Sequence, residues 1–117
     1  MQISSLPFHL EGKIFRSLGN TDNGEVDGST RFYYHQKEDI VWATYEGGQI
    51  RFGTLSGYMN QKGELFFRYQ HQNLTGEFMT GKCHSIPKER EGKLQFEEHW
   101  EWTSGDHSTG QSIIEEV

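Results

Sequence analysis

The stretch DIVWATYEGGQIRFGTL (Asp39–Leu55) carries two runs rich in aromatic, β-branched and threonine residues around the pair Gly47-Gly48. A two-residue hairpin turn of type I′ needs positive φ at both central positions, and glycine takes that conformation at no steric cost. The stretch therefore predicts two antiparallel strands. The turn pairs Tyr45 with Ile50, Ala43 with Phe52 and Val41 with Thr54 on one face. On the other face Trp42 lies opposite Gly53, an aromatic ring covering a glycine.

The same pattern repeats outward in both directions. Eight runs read as strands: Lys13–Gly19, Ser29–Gln36, Asp39–Glu46, Gln49–Met59, Glu64–Asn73, Glu77–Ile86, Lys93–Thr103 and Ser108–Glu116. Helical periodicity is absent, and no internal repeat or low-complexity tract interrupts the series. Most joints are short, so successive strands should be antiparallel neighbours. The longest polar joint is NTDNGEVDG (Asn20–Gly28). Eight strands in sequential order remove their open edges by closing on themselves. The fold expected is an all-β, antiparallel up-and-down barrel. An open meander or a flattened sandwich is the runner-up. The 117 residues make one domain, with residues 1–12 as an N-terminal extension.

Turn chemistry extends the register. Asn60–Gly63 fits a four-residue loop, which puts Leu65, Phe67, Tyr69 and His71 on the face of Phe52 and Tyr58, and Phe66 opposite Gly57. Leu74-Thr75-Gly76 fits a three-residue loop with a left-handed glycine, adding Met79, Gly81 and Cys83 to that face. A two-residue loop would instead place Phe78, Thr80, Lys82 and His84 there, burying a lysine. In the seventh run Leu94, Phe96, Glu98, Trp100 and Trp102 share one side, and Gln95, Glu97, His99, Glu101 and Thr103 the other. The expected interior is thus Val41, Ala43, Tyr45, Phe52, Leu65, Phe67, Tyr69, His71, Met79, Cys83, Leu94, Phe96, Glu98, Trp100 and Trp102. A single bulge would invert the assignment of any strand.

Composition narrows the function. Only 32% of residues are hydrophobic, but three Trp, five Tyr and eight Phe supply enough apolar surface for a thin core, so disorder is not expected. The net charge of −6, with no basic run, argues against nucleic acid and against an anionic membrane surface as partners. No apolar run approaches a membrane span, and Met1–Pro7 does not read as a signal peptide. The single cysteine, Cys83, cannot form an internal disulfide, so a reduced, cytoplasmic protein is expected.

An interior of aromatic walls with a few polar groups describes a small-molecule pocket. The ligand-contacting candidates are Tyr45, Phe52, Tyr69, His71, Cys83, Glu98, Trp100 and Trp102. They suit a small, partly apolar ligand, oriented by His71 and Glu98, and imply no cofactor. A second reading makes Glu98 and His71 an acid–base pair, because burial raises a carboxyl pKa. A third is a self-filled barrel that works by association. Ile40, Trp42, Leu55 and Phe66 share the outer face and offer a homodimer surface. A cavity below roughly 100 Å³, against the roughly 300–1,000 Å³ of ordinary ligand pockets, would sink both pocket readings.

Other motifs carry less. The six histidines show no H-x-H or H-x-x-x-H spacing, and no metal is expected. Asp22–Gly28 lacks the spacing of a calcium loop and reads as turn chemistry. Asp106-His107-Ser108 are consecutive, unlike a catalytic triad, whose members meet in space. No phosphate-binding glycine loop occurs.

Taken together, NTDNGE (Asn20–Glu25), DIVWATYEGGQIRFGTL (Asp39–Leu55), RYQHQNLTGEFMTGKC (Arg68–Cys83), HWEWTSGD (His99–Asp106) and SIIEE (Ser112–Glu116) resemble a family of short bacterial proteins often labelled N-acetylglutamate synthase. The resemblance covers nearly the whole chain from about Gly19. It implies a soluble bacterial protein with a calycin-type, lipocalin-like barrel, and it brings no catalytic residues. The residues themselves supply neither a helix nor the pyrophosphate loop of an acetyl-CoA enzyme.

Overall fold

The computed structural model describes residues 6–117; residues 1–5 of the expected N-terminal extension lie outside the described residues. Eight strands follow in order: β1 (Ile14–Asn20), β2 (Arg31–Lys37), β3 (Ile40–Gly47), β4 (Ile50–Met59), β5 (Leu65–Asn73), β6 (Phe78–Arg90), β7 (Lys93–Trp102) and β8 (Thr109–Glu116). Each pairs antiparallel with the next, and β1 pairs with β8, so the sheet closes into an up-and-down barrel. Inward and outward residues alternate along most of each strand, which brings Phe15, Phe32, Tyr34, Tyr45, Phe67, Phe96, Trp100 and Trp102 inside.

One end of the barrel is filled. Phe15, Tyr34, Met59, Leu65, Phe96 and Ile114 pack there without exposure, with Phe15 edge-on to Tyr34 at 5.2 Å. The N-terminal segment closes this end from below. Leu10 is fully buried, and its amide donates to the Gln36 side chain at 2.8 Å.

The register of the β3–β4 hairpin differs from expectation. Tyr45 pairs with Gly53, Ala43 with Leu55 and Val41 with Gly57. Gly47 and Gly48 both hold positive φ, as the turn requires, but Gly47 itself pairs with Ile50. A bulge follows at once: Arg51 and Phe52 are consecutive outward residues between inward Ile50 and Gly53. The bulge inverts β4. Phe52 is 51% exposed and Tyr58 is also outside, while Leu55 and Met59 are buried. Phe52 is therefore not an interior residue, and Leu55 does not belong to an outer association surface.

The error stops at β4. The next turn runs over Asn60–Glu64, one residue longer than expected, because Asn60 Oδ1 accepts from both the Lys62 and Glu64 amides. That second odd shift cancels the first. Met59 pairs with Leu65, and Leu65, Phe67 and His71 face inward as expected. Gly81 lies opposite Tyr69 and Cys83 opposite Phe67. Strand β6 runs past the expected Ile86 to a tight turn at Glu91-Gly92, both at positive φ. Pro87 lies beyond the end of the β5 pairing at Ser85, where β6 is an edge on that side while its pairing with β7 continues to Arg90.

Candidate functional site

The other end of the barrel is lined by the last inward residues of each strand. Phe32, Tyr45, Leu55, Phe67, Tyr69, His71, Cys83, Glu98, Trp100, Trp102 and Ser112 surround a cavity of about 50 Å³. Period-two alternation stacks Glu98, Trp100 and Trp102 one above another on β7, with the two indoles 5.3 Å apart. Gly53 makes room for the next layer. A Cβ there would strike the Tyr45 ring and lie 2.8 Å from the His71 Cβ, so the glycine lets Tyr45 lie across the sheet to His71.

The floor of the cavity is polar. Ser85 and Ser112 hydroxyls each donate to one oxygen of Glu98, both at 3.1 Å. Burial raises the Glu98 pKa to about 7, against the pull of those two hydroxyls. Near neutral pH this carboxyl changes between hydrogen-bond donor and pure acceptor. Burial also pushes the Cys83 thiol up, so it is an inert lining group. Two further inner-face hydroxyls, Ser17 Oγ and Tyr34 OH, are buried with no hydrogen-bond partner.

The roof comes from the long β1–β2 connection. Trp100 Nε1 donates to Asn20 Oδ1 at 3.1 Å, and Trp102 Nε1 donates to the Asn23 carbonyl at 3.1 Å. Asn23 is pinned in turn to Ser108 Oγ and the Thr109 carbonyl. Glu25 turns inward from this loop: its Oε1 lies 2.7 Å from His71 Nε2, and its Oε2 accepts from Asn73 Nδ2 at 3.1 Å. On its other side His71 Nδ1 meets Tyr45 OH at 2.9 Å. Burial holds the His71 pKa down, with Glu25 opposing. A neutral ring satisfies both contacts when Nε2–H donates to Glu25 and Nδ1 accepts from Tyr45.

Of the residues expected to contact a ligand, Tyr45, Tyr69, His71, Cys83, Glu98, Trp100 and Trp102 meet at this cavity; Phe52 lies outside it. His71 and Glu98 are not hydrogen-bonded to each other: each has its own partners. Sequence reading missed Glu25, Asn20, Asn73, Ser85 and Ser112. The signal for the first two was the length of the Asn20–Gly28 loop, read only as turn chemistry. At about 50 Å³ the cavity falls below the limit of roughly 100 Å³, so the expectation of a preformed pocket, for binding or for catalysis, fails in this closed state, with Gly24, Glu25 and Val26 of the loop at the mouth. Among the described residues no three His, Cys, Asp or Glu side chains gather as a metal ion would need.

Comparison with protein families gives a match to the family described as avidin-like protein over residues 8–117, which spans all eight strands. The chain belongs to the avidin-like family. Comparison with curated proteins and with solved structures returns no match. In this avidin-like barrel, one end is sealed by core side chains and the other only by a polar loop laid over aromatic walls. No helix of the described residues is long and apolar enough to cross a membrane.

Proposed function

We propose that this protein is a non-enzymatic barrel that binds a small, partly apolar molecule among Phe67, Tyr69, Trp100 and Trp102, with its polar part toward Glu98. The observation that carries this reading is the difference between the two ends. The filled end is closed by packed apolar side chains, which are costly to move. The mouth is closed by hydrogen bonds from a loop whose one packed hydrophobic residue is Val26. Beneath it lies a polar floor, the Glu98 carboxyl with the Ser85 and Ser112 hydroxyls, which is costly to keep inside without a purpose. Binding here requires the loop to open, since about 50 Å³ holds no more than a few waters.

The test is native mass spectrometry of gently purified protein, followed by a thermal-shift screen of small amphipathic compounds. A retained molecule, or a ligand that raises Tm and alters Trp fluorescence, is the expected result. Neither signal in either experiment would overturn the reading in favour of a self-filled barrel. Acetyl-CoA serves as the contrasting compound and is expected to leave Tm unchanged, because the described residues contain no helix to hold its pyrophosphate. We also propose self-association through the outer surface of Ile40, Trp42 and Phe66, extended by Tyr58, whose ring stacks on Phe66 at 5.4 Å.

A further inference from the structure

We propose that Glu25 is the chain's own occupant of a carboxylate subsite, and that the ligand carries a carboxylate that displaces it between His71 Nε2 and Asn73 Nδ2. The inference rests on the binding-barrel reading and adds the chemical class of the ligand.

Both donors are built by the barrel, not by the loop they hold. His71 and Asn73 are inner-face residues at the end of β5, 3% and 5% exposed. His71 is oriented through its other nitrogen by Tyr45 OH on β3. Asn73 is fixed by its own amide oxygen, which accepts from the Thr75 amide at 3.1 Å, the Thr75 hydroxyl at 2.6 Å and the Glu77 amide at 3.0 Å. With the loop removed, two donors would still converge on one point at the barrel mouth. Buried donors left without acceptors are costly. Glu25 answers that requirement in the closed state, one oxygen to each donor.

A ligand carboxylate answers it equally well, bond for bond, so exchange strands no donor. The Glu25 carboxylate swings into water with the loop, while the ligand's apolar body takes the space over Trp100 and Trp102. A ligand without an acceptor at this position would leave His71 Nε2 unpaired and Asn73 Nδ2 with only its long 3.4 Å bond to Glu77 Oε1, and would bind poorly. The loop's other ties include the two indole N–H bonds, the Asn23 anchors to Ser108 and Thr109, the Asn20 side chain to the Val26 carbonyl, the Thr21–Gln111 bonds and the packing of Val26 on the core; water satisfies the polar groups among them when the loop opens.

The experiment uses the full chain with Glu25→Ala, with butanoate as probe and butanamide as its neutral counterpart. Trp fluorescence and the ring ¹⁵N signals of His71 are followed during titration. Butanoate is expected to bind E25A at least tenfold more tightly than wild type, to shift the His71 signals, and to outcompete butanamide at least tenfold. Adding Asn73→Ala to E25A should abolish the gain. If E25A does not fold, Glu25→Gln keeps the size but sets an amide NH₂ against one of the two donors, and it too should gain butanoate affinity over wild type. No gain in the folded variant overturns the inference. A molecule lacking a carboxylate, retained in the mouth of wild type, overturns it and leaves the binding barrel standing. An empty wild type with no response from either variant to any compound overturns both.

Discussion

Glu98 sits inside the barrel with a serine hydroxyl on each of its carboxyl oxygens. Its pKa is raised from 4.5 to about 7 by burial, so the folded protein holds this proton more tightly than the unfolded chain does. The stabilisation is complete below pH 4.5 and is lost as pH rises through about 7, a change on the order of 3 kcal/mol. Glu98→Gln, neutral at every pH, should remove this fall. Urea unfolding of both proteins from pH 4.5 to 8 is expected to show the variant gaining on wild type as pH rises, and parallel curves would refute the assignment. His71 acts in the opposite sense: its lowered pKa gives stability that is present above its ordinary value of 6.5 and lost as pH falls below it. Two phenylalanines measure the inside and outside of the sheet. Phe96, fully buried at the filled end, should cost about 3–5 kcal/mol as alanine. Phe52, half exposed on the outer wall, should cost within about 0.5 kcal/mol in the same denaturation experiment.

At the level of elements, β4 is where the sequence reads least clearly. Its alternation is broken by Gly53 and Gly57 and by the adjacent outward pair Arg51 and Phe52. Gly57 lies inward, opposite Phe67, and a Cβ there would meet the backbone of Phe66 and lie 2.6 Å from the Phe67 Cα. Gly57→Ala should therefore destabilise by about 1–3 kcal/mol through overpacking, measurable as a lowered unfolding midpoint with an unchanged m-value. Had Gly57 lain opposite Phe66 on an outer face, as the hairpin turn suggested, the cost would be small. The strands from β5 to β7 were legible because their inner and outer sets differ in polarity: Leu65, Phe67 and Phe96 against Arg68, Gln70 and Glu97. The turn at Asn60 escaped because its length depends on one amide oxygen accepting two backbone bonds, and residue type alone does not reveal that.

Across the whole molecule the two ends of one barrel do different work. The end holding Leu10, Phe15 and Phe96 is packed with core side chains, while the end under the β1–β2 loop is closed by hydrogen bonds and, on the binding proposal, is the end that opens. The outer wall keeps an aromatic surface of Trp42, Tyr58 and Phe66. Sedimentation of wild type against Trp42→Glu is expected to show the variant at half the mass, and equal masses would exclude association through this surface. The chain's strand count, its closure and most of its aromatic interior followed from sequence, because turn residues and period-two polarity are local properties that survive any packing. The face of β4, the length of the Asn60 turn, and the docking of Glu25 onto His71 and Asn73 were decided only in the tertiary structure. A bulge reverses a strand without changing its composition, and Glu25 meets its partners only because closing the barrel brings residues 46 and 48 positions apart to one mouth.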